Sequence, residues 1–405
     1  MQSQSRRFTF FLASITSLTS ISIDMSLPAV PAIERDFSLV AGHGSLTLSL
    51  FLAGYALTPL AGGPLADRFG RRPVLIVSLA LFAAAALACT LAQSFTMLLV
   101  CRLLQGCASG VSVALPLAIV RDLVEGQAAR QRISEVTMVN ALMPILAPIF
   151  GSWVMLLGSW RWLFGTQAAF AGIVILLVVF DFKESLAPER RQGLHPARLA
   201  RNYWLLITHR QFLGYSLIYA LNFACIFSFI AVSPLILMQT EGVSRHLYTL
   251  LFAAIAMGTI LGSFASGVLN RRRLPVKRII TAGMLLMTVA SFTGAGLQLA
   301  GLHRPWFVLP PVFLALFCFG LTAPAVTLEA LEPVPHLAGS GSGAIRSLQM
   351  IFGSAASGLL AAFCARSAMR PEIAATLTMS VAVAASASLY FVALRGQETM
   401  PPEAG

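Results

Sequence analysis

Residues Gly63 to Leu75 read GPLADRFGRRPVL, and this stretch decides how the rest of the chain is read. A short charged patch, Asp67 to Arg72, separates an apolar run at 44–66 from another at 72–92. Each run is about the 20 residues that a helix needs to cross a hydrocarbon layer of ~30 Å. Two membrane-length runs joined by a tight basic turn make a membrane hairpin. Gly63 and Gly70 are expected to let the chain turn closely there, because glycine takes backbone conformations that other residues avoid.

Working outward, ten further runs of the same kind lie at 8–32, 97–120, 133–157, 161–181, 211–238, 247–269, 276–299, 306–328, 339–364 and 372–394. Composition agrees: 57% of the 405 residues are hydrophobic, 11% are charged, and the mean hydropathy is +0.80. Soluble domains carry roughly 25% charged residues, so this chain lacks the charge to cover a water-facing surface. The expected fold is all-α, with twelve transmembrane helices.

The net charge of +12 and pI of 10.2 invite a nucleic-acid reading, which the distribution of the charges removes. With a cytoplasmic N-terminus, twenty of the 28 Lys and Arg fall in inner segments, six in outer loops, and two, Arg102 and Arg346, inside spans. That asymmetry is the positive-inside pattern and puts both termini in the cytoplasm of a cell inner membrane. The six cysteines all lie in apolar spans, away from histidines and outer loops, and read as buried hydrophobes. Arg6-Arg7 and the run after them imitate a signal peptide, but the run is long and contains Asp24, so it reads as an uncleaved first helix.

The spans divide six and six around a polar, Arg- and Pro-rich stretch. The expected organisation is a six-helix bundle at 1–182, a cytoplasmic linker at 183–210 with one surface-lying amphipathic turn, and a second bundle at 211–405. The halves resemble each other. ASGVLNRRRLPVKRI in the second matches GGPLADRFGRRPVL in the first, and VSPLIL matches LPAVP. Such an internal duplication is a transporter design.

These motifs carry a family resemblance. GPLADRFGRRPVL resembles the loop 2–3 signature of the major facilitator superfamily, LLVCRLLQGCASG (Leu98 to Gly110) its Arg-centred helix 4 motif, and MPILAPIFGSW (Met143 to Trp153) its helix 5 "antiporter" motif. IDMSLPAVPAI, VSPLILMQTEGVS and LEALEPVPHLAGSGSGA look like the bicyclomycin/chloramphenicol-resistance group of drug:proton antiporters. The resemblance implies two pseudo-symmetric six-helix bundles, alternating access, a proton gradient as driving force with no cofactor, and a monomer. It also implies that the loop 2–3 motif is a conformational latch.

Beside that implication stand the residues themselves. Asp67 sits among Arg68, Arg71 and Arg72; it either caps a helix N-terminus in the opposite half or belongs to a solvated loop. Pro144, Pro148 and Gly151 share one helical face, read either as a plain kink or as a close-packing surface associated with antiport in relatives. Asp24 is the one acid well inside a span, and intramembrane charges are functional by default. The helical rise puts Asp24 ~24 Å from the inner boundary and Arg102 ~8 Å from the outer one, so both lie in the outer half. They are expected to form either a proton-sensitive couple or a static ion pair. The preceding turns offer only Thr16, Thr19 and Ser20, which leaves no second carboxylate in this helix.

Arg346 has three readings: it snorkels to headgroups, holds Asp67 or Glu332 at a gate, or meets an anionic substrate. Tyr219, Asn222 and Phe223, followed by Phe227, are expected to line a cavity face for moderately lipophilic compounds, with Gln105 and Gln349 adding hydrogen bonds. The same stripe also reads as packing. No P-loop is present, and the histidines scatter through loops and linker, against an ATP-driven pump, a metal site or an enzyme. The expected function is export of drugs or small amphipathic metabolites in exchange for protons. The alternative is a facilitator or importer of a small metabolite such as a siderophore, nucleoside or amino-acid derivative.

Overall fold

With no water in the bilayer core to satisfy backbone polar groups, apolar runs of this length must close their hydrogen bonds internally as helices. The computed structural model describes residues 6–124, 126–191, 193, 196–366 and 369–394. His195 and Arg395, which entered the histidine and charge readings, lie outside the described residues, as do the side chains of Arg6, Arg130, Arg190, Arg198 and His336.

Fifteen helices are described: α1 (Arg6–Asp24), α2 (Val30–Asp36), α3 (Leu46–Leu57), α4 (Pro59–Phe69), α5 (Arg71–Thr90), α6 (Phe95–Leu123), α7 (Gly126–Val154), α8 (Arg161–Phe180), α9 (Pro196–Thr208), α10 (Arg210–Pro234), α11 (Arg245–Arg271), α12 (Val276–Leu299), α13 (Pro305–Leu331), α14 (Ala338–Arg366) and α15 (Pro371–Ser388). Among the described residues, eleven spans are long and apolar enough to cross a membrane, and twelve if the bent pair α3–α4 counts as one.

That pair covers the second expected span, 44–66, as two helices rather than one. The helix breaks by 46° between Leu57 and Pro59. Proline cannot donate to the carbonyl four residues back, here that of Tyr55. The Thr58 hydroxyl and the Thr58 N–H donate to that oxygen instead, at 3.1 and 3.2 Å. Elsewhere the boundaries follow local chemistry. At the start of α6, Ser94 Oγ accepts from the Met97 N–H at 3.2 Å, an N-cap. The amphipathic turn expected in the linker is a full helix, α9, which buries Leu206 and exposes Trp204, Leu205 and Ile207.

The chain groups into two compact units, Met1–Pro196 with Val243–Ala253, and Ala197–Gly242 with Ala254–Gly405. In the first, α6 packs against α3, α4 and α5, α5 against α8, and α1 against α7. In the second, α10 packs against α13, α14 and α15, and α12 against α13 and α15. Membrane helices associate through small residues that admit close backbone approach, and each unit has such a seam. A Cβ at Gly54 of α3 would strike the Leu103 carbonyl, and one at Gly106 of α6 the Phe51 carbonyl. In the second unit the same reciprocal pair is Gly262 of α11 against Phe317 and Gly320 of α13 against Thr259.

Candidate functional site

The end of α1 meets the first third of α6 at a fully buried cation. Arg102 has no exposed surface. Its Nε donates to the Thr47 carbonyl at 3.2 Å, its Nη2 to the Ser22 carbonyl at 3.0 Å and its Nη1 to Gln105 Oε1 at 2.6 Å. Its guanidinium carbon also lies 4.5 Å from the Phe51 ring centroid and 5.5 Å from that of Phe164. Gln105 Nε2 donates to Gln167 Oε1 at 2.9 Å, and the Ser22 hydroxyl reaches the same oxygen at 3.3 Å. One network therefore joins α1, α3, α6 and α8 around a charge neutralised by dipoles and aromatic faces rather than by an anion.

Two expectations change here. Asp24 and Arg102 do not pair, because the donors of Arg102 go to backbone carbonyls and Gln105; among the described residues no hydrogen bond or ion pair reaches the Asp24 carboxylate. Gln105, expected to offer hydrogen bonds to a cavity, has both ends of its amide engaged inside the unit. Gln167, which the sequence reading missed, has an unpartnered Nε2 in the same buried network. Its signal, a lone amide in the apolar run of α8, is weak.

Asp24 is the last residue of α1 and is 8% exposed. Ser22, two residues before it, is held by Arg102, and Met25, directly after it, lies against α7. A Cβ at Gly151 would strike the Met25 carbonyl, so this glycine admits the close approach of α7 to the end of α1. Pro148 and Gly151 are buried, Pro144 is half-buried, and α7 runs through both prolines as one helix. In the chain, Asp24 thus lies between a residue held by Arg102 and one packed on the Gly151 face of α7.

At the other end of this unit, Gly70 is the single hinge between α4 and α5. Its φ of 98° with ψ of 155° is open to glycine alone. Gly63 turns nothing, contrary to expectation: it lies within α4, and a Cβ there meets open space. Asp67 pairs with Arg71 at 2.7 Å, and Arg71 Nε also donates to Asp122 Oδ2 at 3.0 Å. Glu184 accepts the Arg71 N–H at 2.9 Å and the Arg72 N–H at 3.2 Å, placing an anion on the N-terminus of α5. Arg72 reaches the Val178 and Val179 carbonyls at 3.4 and 2.7 Å, satisfying acceptors at the end of α8. Arg68 lies 5.1 Å from the Phe69 ring. Asp67 is therefore not the sole acid here. Asp122 and Glu184, distant in sequence, join it, and only the fold could bring them together.

In the second unit the structure brings most of the aromatic stripe together as packed rings. Tyr219 and Phe223 of α10 pack on Phe319 of α13 with centroids 5.7 and 6.1 Å apart, and Phe223 stacks on Phe227 at 5.3 Å. Asn222 does not join this wall. About 100° of rotation per residue carries it round from Phe223 towards α12, where Nδ2 meets Met284 Sδ at 3.4 Å and Oδ1 is unpartnered. Phe319 was not singled out in the sequence, since FLALFCFG looks like any apolar run. On α14, the exposed Arg346 donates to the buried Gln349 at 3.1 Å. All six cysteines are free.

Comparison with known proteins places this geometry in a family. The model of the Major Facilitator Superfamily matches residues 12–358. The multidrug resistance protein MdtL of Klebsiella pneumoniae is 29% identical over 377 residues, 93% of each chain. An uncharacterized MFS-type transporter of Bacillus subtilis, YdgK, is 28% identical over 358 residues, 87% of each chain. Among solved structures, a bacterial homolog of the human lysosomal transporter Spinster, inward-facing and occupied, superposes with a TM-score of 0.75 at 18% identity, covering 97% of this chain and 98% of that one. A D-xylose-proton symporter gives 0.73 at 15% identity, covering 95% and 98%. With this match along most of its length and eleven to twelve apolar helices, the chain is a multi-pass membrane transporter, not an enzyme, and belongs to the major facilitator superfamily.

Proposed function

We propose that the protein exports drugs or small amphipathic metabolites across a bacterial inner membrane in exchange for protons. In this reading it acts as a monomer with both termini in the cytoplasm. The observation that carries the reading is Asp24: a buried carboxylate with no counter-ion among the described residues, at the end of a helix held by Arg102 on one side and by the Gly151 face on the other. A charge so placed is costly, and proton uptake removes it. A cationic or strongly dipolar substrate beside the carboxylate removes the cost in another way, so proton and substrate compete for one site. Arg102 acts by fixing the end of α1 through the Ser22 carbonyl.

Within the second unit, Tyr219, Phe223, Phe227 and Phe319 form an aromatic cluster suited to moderately lipophilic compounds. Asp67, Arg71, Asp122 and Glu184 form a conformational gate in the first unit; in the second unit Arg346 is a gate candidate and Gln349, its hydrogen-bond partner, a cavity candidate. The relatives named for multidrug resistance support export.

The test is proton release from purified protein in weakly buffered detergent solution on addition of a panel of antibiotics and metabolites. Release in wild type that disappears in Asp24→Asn, with binding retained, is the expected result. Binding without release in either form would sink the antiport reading and favour a facilitator or importer.

A further inference from the structure

The second unit carries a groove that the transport reading does not use. It has a volume of about 360 Å³ and opens beside the first turn of α12. Lys277 and Arg278, both exposed, stand at its mouth, and Arg271, Arg272 and Arg273 precede them in the turn from α11. Among the described residues no carboxylate pairs with Arg278. Lys277 is also drawn towards Glu329 of α13, so the mouth is basic but not unopposed.

One turn deeper the lining changes character. The Tyr390 hydroxyl donates to the Lys277 carbonyl at 3.2 Å, and lies 3.0 Å from that of Thr281, which donates to the same carbonyl at 2.8 Å. Below them the walls are Ala282, Leu285 and Leu394. Leu285 starts an exposed apolar stripe that continues at Val289 and Phe292, at i, i+4 and i+7 along α12. Cationic groups, then hydroxyls, then hydrocarbon follow one another along a single helix, in the order presented by a phospholipid from phosphate to acyl chain. A small soluble anion would use the mouth alone, whereas a phospholipid also meets the hydrocarbon lining of the groove at Ala282, Leu285 and Leu394.

We infer that this groove binds an anionic phospholipid, with its phosphate at Lys277 and Arg278 and an acyl chain along Leu285, Val289 and Phe292. Interfacial cations contribute on the order of 1 kcal/mol each towards anionic lipid. The inference rests on the membrane fold and is independent of substrate and direction.

Native mass spectrometry of the full chain, after incubation with phosphatidylglycerol or phosphatidylcholine, tests it. The wild type should retain phosphatidylglycerol, and K277Q/R278Q should retain it about tenfold less well or worse. R271Q/R272Q, with the same charge change off the groove, should behave as wild type, as should all three proteins in thermal unfolding. Equal retention by wild type and K277Q/R278Q would overturn the site, and an equal loss in both double variants would reduce it to diffuse attraction. Equal retention of phosphatidylcholine would remove the charge selection. Displacement of the lipid by millimolar glycerol 3-phosphate would make it a phosphate-ester site instead.

Discussion

Each unit contains an arginine three residues before a glutamine on one helix face, and the two pairs live in opposite surroundings. Arg102 and Gln105 of α6 are wholly buried and tie together four helices. Arg346 and Gln349 of α14 hydrogen-bond each other with the arginine exposed. The helix spacing makes the local pair in both cases; what differs is burial, since α1, α3 and α8 close around the first pair and leave Arg102 no exposed surface, whereas Arg346 is exposed. The units share their glycine seams yet divide the chemistry. The first is held by a buried charge network, and the second presents aromatic rings around Phe319.

The sharpest way to break this comparison is to remove each arginine. Arg102→Ala removes the donor from Gln105 Oε1 in a dry interior, at about 1–3 kcal/mol for an unsatisfied group, and also takes one donor each from the Ser22 and Thr47 carbonyls and leaves a cavity among four helices. The expected outcome is a large drop in melting temperature in detergent and loss of transport. If Arg102→Ala melted like wild type, the network would be incidental to the fold. Next come the seams. Gly106→Leu and Gly320→Leu should each destabilise by about 1–3 kcal/mol or more through overpacking. Thermal unfolding that spares one of them would show that the two seams are not equivalent.

A smaller effect is expected at the α5 N-terminus. Glu184→Gln keeps one of the two acceptor oxygens, loses the one that takes the Arg72 N–H, and removes the charge facing the helix dipole, a loss of about 1 kcal/mol. High salt should shrink the difference from wild type. Arg346→Gln should change stability least, within about 0.5 kcal/mol, while its transport rate reports whether the exposed arginine gates. A melting shift as large as that of Arg102→Ala would show that the two pairs are equivalent after all.

The loop 2–3 motif shows where legibility stops. The hinge at Gly70 and the Asp67–Arg71 pair are local and could be read from GPLADRFGRRPVL. Asp122 and Glu184 could not, because they lie 51 and 113 residues beyond Arg71 and only helix packing brings them to it. The aromatic wall was half legible for the same reason: Tyr219, Phe223 and Phe227 share a helix, whereas Phe319 arrives on another. Asn222 was assigned to the wrong side, since i and i+3 neighbours diverge enough for α12 to capture one of them.

The sequence by itself determined the membrane class, an all-α fold of apolar spans and the family, because burial in hydrocarbon leaves the backbone no choice but helices of membrane length. Only the tertiary structure decided what each intramembrane polar group touches. Helical periodicity sets the direction of a side chain from its own axis, but its partner is chosen by the neighbouring helix. That is why Arg102 is held by carbonyls and amides while Asp24, near in depth by the same counting, stands without a partner among the described residues.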